Sequence, residues 1–170
     1  FLHCKQNFTG TRNWFLSDVN QHLICWWKAI QSDLTAFTDC IKDIQDRYHN
    51  GNRKDGYHEL RAEFNSYQPL DTWKAALFMF LSRTAFNGLI RYNSKGEFNS
   101  AWGNPVSGKH LDTFVVNIDD LQKLSTLLVG VNISCHSYVD VEAKSGDLIF
   151  ADPPYVAVDS RRLDKSAYNT

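Results

Sequence analysis

Asp152, Pro153, Pro154 and Tyr155 are the residues whose types and spacing best suit chemistry, and they follow the apolar run Leu148-Ile149-Phe150-Ala151. Two successive prolines fix φ twice and remove two backbone donors, so the chain leaves the preceding segment extended, with its carbonyls unclaimed by any ladder. The Asp152 carboxylate and the Pro153 carbonyl then stand as neighbouring acceptors, and two acceptors suit one amino group. Tyr155 adds a flat ring able to stack on a heteroaromatic base while its hydroxyl stays wet. With proline at about 5% of average usage, a chance occurrence of this tetrapeptide in such a chain is on the order of one in a thousand.

Such a site needs a strand to deliver it. The run before Asp152, preceded by Gly146-Asp147, has the composition of a central parallel strand buried on both faces, and open α/β sheets bind ligands at the carboxyl edge of such strands. Trp14-Phe15-Leu16 followed by Ser17-Asp18 reads as a second strand with an acidic loop at its end. Asn20 opens a helix carrying Leu23, Ile24, Trp27 and Ile30. Leu34, Phe37, Ile41, Ile44 and Tyr48 predict a second helix, with Asp43, Asp46 and Arg47 on its wet side and Asn50-Gly51-Asn52 ending it. A third carries Tyr57, Leu60 and Phe64, and after Pro69 a fourth starts on Asp71 and runs through Ala76, Leu77, Phe80 and Leu81.

Arg91-Tyr92-Asn93 and Glu97-Phe98-Asn99 flank Ser94-Lys95-Gly96, a spacing that predicts a β-hairpin with Gly96 at positive φ. From Asp119 a helix on Leu121, Leu124, Leu127 and Leu128 closes at Gly130, before a short strand at Val131-Asn132-Ile133-Ser134. The expected fold class is α/β: residues 1–36 and 119–170 supply a sheet domain, and residues 37–118 a mostly helical insertion carrying the hairpin. Within residues 83–110 the bases Arg83, Arg91, Lys95 and Lys109 face one acid, Glu97. This local excess suits phosphate and guanine, although 18 Lys plus Arg against 19 Asp plus Glu leave the whole chain at −1.

The tetrapeptide matches the catalytic motif of amino-methyltransferases, and the segment from Arg83 through Phe86-Asn87-Gly88 and Arg91-Tyr92-Asn93 to Gly96-Glu97-Phe98-Asn99 and Trp102-Gly103 closely resembles the DNA-reading hairpin of the Dam-like (D12) class of DNA adenine-N6 methyltransferases. The resemblance covers essentially the whole chain. It implies a partial Rossmann-like class I methyltransferase sheet, S-adenosylmethionine as cofactor and double-stranded DNA as partner, acted on by a monomer that needs no metal. Asp152 and Pro153 would localise the lone pair of adenine N6 for direct attack on the sulfonium methyl, with Pro154 fixing the loop and Tyr155 stacking on the extruded base. Asp18 would hold the cofactor ribose, His136 and Ser137 its adenine, and Asp152 would also border the cofactor. Arg91 is implied as the guanine reader, Lys95 as a phosphate contact, and Phe86, Asn87 and Asn93 as further DNA contacts.

Two departures from the family pattern matter. Ala101-Trp102-Gly103 replaces the usual Pro-Phe-Gly, so a GATC-like site is only the default. No lysine motif or Gly-rich FxGxG loop precedes Phe1, and residues 166–170 follow closely on the catalytic loop, so a fragment without the first cofactor motif and the C-terminal strands is expected, inactive as it stands.

Composition excludes other classes. Hydrophobic residues at 43% and charged at 22% are ordinary for a globular domain. Cys4, Cys25, Cys40 and Cys135 form no CxxC pair, so neither a zinc site nor a disulfide scaffold is expected, and a reducing bacterial or phage-infected cytoplasm fits best. No apolar run approaches the roughly 18 residues of a membrane span. The alternatives are a non-catalytic DNA-binding remnant of such an enzyme and a protein-glutamine methyltransferase, whose loop usually begins with Asn and needs no Arg91 hairpin.

Overall fold

The computed structural model describes residues 2–7, 12–103 and 116–152. Among these, α1 (Leu2–Asn7) precedes β1 (Trp14–Asp18). Four helices follow in succession: α2 (Gln21–Ser32), α3 (Leu34–His49), α4 (Arg53–Ser66) and α5 (Thr72–Thr84). Then α6 (Ile118–Leu128) leads into β2 (Val131–Cys135). The protein is thus a mixed helix and strand chain with a small parallel sheet.

Polar residues start the helices where the sequence places them. Asn20 accepts from the amides of His22 and Leu23, Asp33 from Ala36, Asn52 from Lys54 and Asp55, Asp71 from Lys74, and Asn117 from Asp119. Each satisfies a donor the helix itself cannot, worth roughly 1 kcal/mol.

The core lies in the helical part. Phe37, Ile41 and Ile44 of α3 are buried, as are Tyr57, Leu60 and Phe64 of α4, which are the periodic residues of the sequence. Full burial of such side chains stabilises by about 1.5–3 kcal/mol each. Helix α5 is buried at every residue from Lys74 to Leu81 and packs on α2, α3 and α4. Its continuous apolar run therefore marks a central helix, covered on every side. Because α2 supplies Ile24, Cys25, Ala29 and Ile30 to the same cluster, the core continues from the helical segment to the helix beside the sheet.

Lys74 is the exception in α5. Its ammonium, lying 4.1 Å from the centre of the Phe64 ring, donates to the carbonyls of Phe64 and Tyr67. These carbonyls belong to the open end of α4, so the lysine acts as its cap. Burial holds the Lys74 ammonium below the usual lysine range.

Strands β1 and β2 pair in parallel, with Trp14 opposite Val131 and Asp18 opposite Cys135. Val131 and Ile133 are buried on the face toward α2, whereas Phe15 is 71% exposed. Gln31 of α2 ties this face together by donating to the carbonyls of Leu128 at 2.7 Å and Val131 at 2.8 Å.

One expectation is corrected. Leu148, Ile149 and Phe150 are 80%, 53% and 90% exposed, and residues 148–151 form no strand, so the predicted buried central strand is not found. A parallel strand has no local hairpin to nucleate it and gains order only from neighbours on its edges. Among the described residues the sheet consists of β1 and β2 alone, and neither pairs with this run.

Candidate functional site

Asp18 closes β1, and its Oδ1 accepts from the amide of Asn20 at 2.7 Å, which sets the turn into α2. Beyond Cys135, at the parallel end of β2, His136 donates through Nδ1 to the Ser137 carbonyl at 3.0 Å. Ser137 caps the short 3₁₀ turn Tyr138–Asp140, and Asp140 accepts from the Ser137 amide at 3.2 Å. The Cys135 thiol, 3.6 Å from the Val19 carbonyl, links the two loops. The parallel register thus brings Asp18 and the His136-Ser137 loop to one edge. An accepting carboxylate that shares this edge with a half-buried imidazole and a hydroxyl suits a ribose and a heteroaromatic ring.

The second group lies beyond α5. Ala85 pairs antiparallel with Trp102, and the Phe86 amide donates to the Ala101 carbonyl at 2.9 Å. Between them Phe86–Gly88 makes a 3₁₀ turn with Asn87 at φ 54° and Gly88 at φ 66°. Left-handed backbone is tolerated by Asn better than by most residues. The turn projects outward, with Phe86 56% exposed.

Residues 91–99 form the hairpin. Tyr92 pairs with Phe98, the Asn93 amide donates to the Glu97 carbonyl at 2.9 Å, and the Asn99 amide donates to the Arg91 carbonyl at 2.9 Å. Gly96 has φ 76°, as its three-residue connection demands. Asn93 is turned into this tip: its Oδ1 accepts from the amides of Lys95 and Glu97, and its Nδ2 donates to the Glu97 carboxylate at 2.7 Å. Lys95 is exposed at the apex. Arg91 is exposed near the base, where its Nε donates to Asn99 Oδ1 at 2.8 Å. That brace holds the guanidinium plane in one direction, so less order must be imposed when it meets a planar partner.

The chain belongs to the D12 class of N6 adenine-specific DNA methyltransferases. The model of that family matches residues 1–167. The chain is 30% identical over 147 residues to the type II methyltransferase M.MjaIII of Methanocaldococcus jannaschii, covering 82% of this chain and 49% of the relative. It is 30% identical over 150 residues to the retron Ec67 DNA adenine methylase of Escherichia coli, covering 86% and 50%. Against the DNA N-6-adenine-methyltransferase of Escherichia phage P1 the identity is 33% over 151 residues, covering 86% and 18%. The chain therefore spans about half the length of the first two relatives and less of the third.

Of the site residues expected for this D12-class chain, Asp18 shares an edge with His136 and Ser137, while Phe86, Asn87, Arg91, Asn93 and Lys95 gather on one segment beyond α5. Asp152 is exposed, after the unpaired residues 148–151. Pro153, Pro154, Tyr155 and Lys109 lie outside the described residues.

Four residues that seat the hairpin escape sequence reasoning. The Ser100 carbonyl accepts from the Tyr57 hydroxyl and from Arg61, both at 2.9 Å. Asn65 pairs with the backbone of Phe98, and His22 meets the Tyr92 hydroxyl at 3.0 Å. Tyr57 reads from sequence only as a core residue. The others lie on helices far away in sequence, and nothing in their local pattern signals the contact.

Proposed function

We propose that this chain carries the DNA-reading segment and part of the methyl-transfer site of a site-specific enzyme that methylates N6 of adenine in duplex DNA, by default at a GATC-like sequence. The observation that carries this reading is the braced Arg91 on an exposed hairpin, in a D12-class chain that also holds Asp152-Pro153-Pro154-Tyr155. Arg91 reads guanine bidentately, Lys95 meets phosphate, and Phe86 and Asn87 approach the target pair. Asn93 contributes by fixing the tip, beside any contact of its own with DNA.

S-adenosylmethionine supplies an activated methyl group when bound. Asp18 would hold its ribose, His136 and Ser137 its adenine, at the sheet edge where their side chains share one end of the β1 and β2 pair. Asp152 and Pro153 accept hydrogen bonds from adenine N6 and localise its lone pair, while Pro154 and Tyr155 shape and cover the pocket. The core is read as a partial Rossmann-like sheet in residues 1–36 and 119–170, with residues 37–118 as the recognition insertion. The protein works on DNA as a monomer without metal, in the cytoplasm.

The exposure of Leu148, Ile149 and Phe150 favours a second reading, a non-catalytic remnant that keeps the DNA-recognition insertion but lacks cofactor capture. One assay separates the two. The protein at its full natural length is mixed with labelled S-adenosylmethionine and a GATC duplex, and label is sought on adenine N6. Single-turnover transfer is expected, lost in Asp152→Ala with DNA affinity kept within about threefold, since this carboxylate acts on charge developing at N6 and not on phosphate. DNA binding without transfer would select the remnant, and transfer retained in Asp152→Ala would remove Asp152 from the chemistry.

A further inference from the structure

A short run of hydrogen bonds joins Asp18 to Tyr92, the neighbour of Arg91. The Asn20 amide donates to Asp18 at 2.7 Å, and the Asn20 Oδ1 accepts from the amides of His22 at 3.0 Å and Leu23 at 3.2 Å. That oxygen is engaged as the helix cap, so Asn20 fixes the backbone of His22 at the first turn of α2. Tyr92 meets His22 Nδ1 at 3.0 Å, and the two rings stack at 5.6 Å with planes 21° apart. On its other side the Tyr92 ring stands edge-on to Phe98 at 5.8 Å.

Burial first, then the Lys74 charge, lowers His22 to about 4, so its ring is neutral near pH 7, and its Nδ1 and the Tyr92 hydroxyl share one hydrogen bond. Asn20 accepts from the His22 amide, and the His22 ring holds the Tyr92 hydroxyl. A shift of the Asp18 turn therefore moves Asn20 and, with it, the His22 ring on which the Tyr92 hydroxyl rests. Elsewhere the hairpin rests on Asn65, Tyr57 and Arg61 of α4, so Tyr92 is where the first turn of α2 meets it.

We infer that His22 and Tyr92 are positioning residues that couple the Asp18 loop to the aim of the Arg91 hairpin, so that a ribose held at Asp18 sharpens DNA discrimination. The inference rests on the reading under Proposed function. By linkage, cognate DNA tightens the cofactor by the same factor.

The test uses the protein at full natural length, with S-adenosylhomocysteine as probe and cognate and one-base-changed duplexes. Discrimination is measured with and without the probe. In the wild type the probe raises it, and in Tyr92→Phe, which keeps the ring and its packing, that gain falls by about fivefold or more. His22→Leu loses the gain likewise, whereas His22→Asn, which keeps a hydrogen-bonding group near the position of Nδ1, restores most of it. A merely structural role would weaken binding equally with and without the probe, and that result overturns the inference, as does an undiminished gain in Tyr92→Phe. A wild type that binds both ligands independently overturns this coupling alone. A wild type that binds neither overturns the proposed function, and the coupling with it.

Discussion

Asn65 completes the hairpin as a missing strand would. Its Nδ2 donates to the Phe98 carbonyl at 3.1 Å, and its Oδ1 accepts from the Phe98 amide at 2.8 Å. One side chain on α4 thus satisfies both backbone groups of a buried residue, in the manner of a β-ladder. Asn65→Ala is expected to destabilise by about 2–3 kcal/mol, because two buried polar groups lose their partners together. Urea unfolding checks this: the midpoint should fall with the slope unchanged. An equal midpoint in the variant would mean that water replaces the amide without cost.

Gly103 is the next position where packing leaves no choice. A Cβ there would stand 3.0 Å from the carbonyl oxygens of both Thr84 and Ala85 and 3.1 Å from the Ala85 carbonyl carbon. All three are backbone atoms and none can swing aside. Gly103→Ala should cost about 1–3 kcal/mol, chiefly by pushing Trp102 away from Ala85. Hydrogen exchange at the Phe86 amide, which donates to Ala101, reports this locally. Faster exchange there, with the Ile41 amide unchanged, is the expected result.

The buried His22 makes stability depend on pH in a defined direction. Its pKa in the folded chain is about 4 against an ordinary 6.5, so between these values the unfolded chain binds the proton and the folded chain does not. Stability from this group is therefore fully present above 6.5 and lost as pH falls toward 4. His22→Gln should flatten that part of the profile. Urea midpoints near pH 7 and near pH 5 in both proteins test it, since carboxylates common to the two cancel in the comparison. Parallel profiles would show that the imidazole titrates alike in both states.

Arg91 and Lys95 should fail differently. A bidentate contact to guanine is worth about 1–3 kcal/mol of discrimination, so Arg91→Ala is expected to relax specificity at one base pair. Lys95→Ala should weaken binding to all duplexes and flatten the salt dependence by about one ion. Asn99→Ala, which removes the brace on Arg91, should reproduce part of the Arg91 loss. Binding isotherms on cognate and altered duplexes at several salt concentrations separate the two behaviours. Equal losses on both duplexes for Arg91→Ala would return it to a phosphate contact.

The sequence by itself determined what is local. Helix periodicity in Phe37, Ile41, Ile44 and Tyr48 and in Tyr57, Leu60 and Phe64 became buried faces, and Asn20 and Asp71 became caps, because spacing of three or four residues and side-chain to backbone reach are properties of neighbouring residues. The hairpin tip at Gly96 was legible for the same reason. Tertiary structure decided the rest. Asn65 on Phe98, His22 on Tyr92 and Lys74 on the end of α4 join residues that meet only once the helices have packed, and no local pattern encodes such meetings. The run at residues 148–151 has the composition of a buried strand yet stands exposed, since a parallel strand is made by the neighbours it pairs with and not by its own residues.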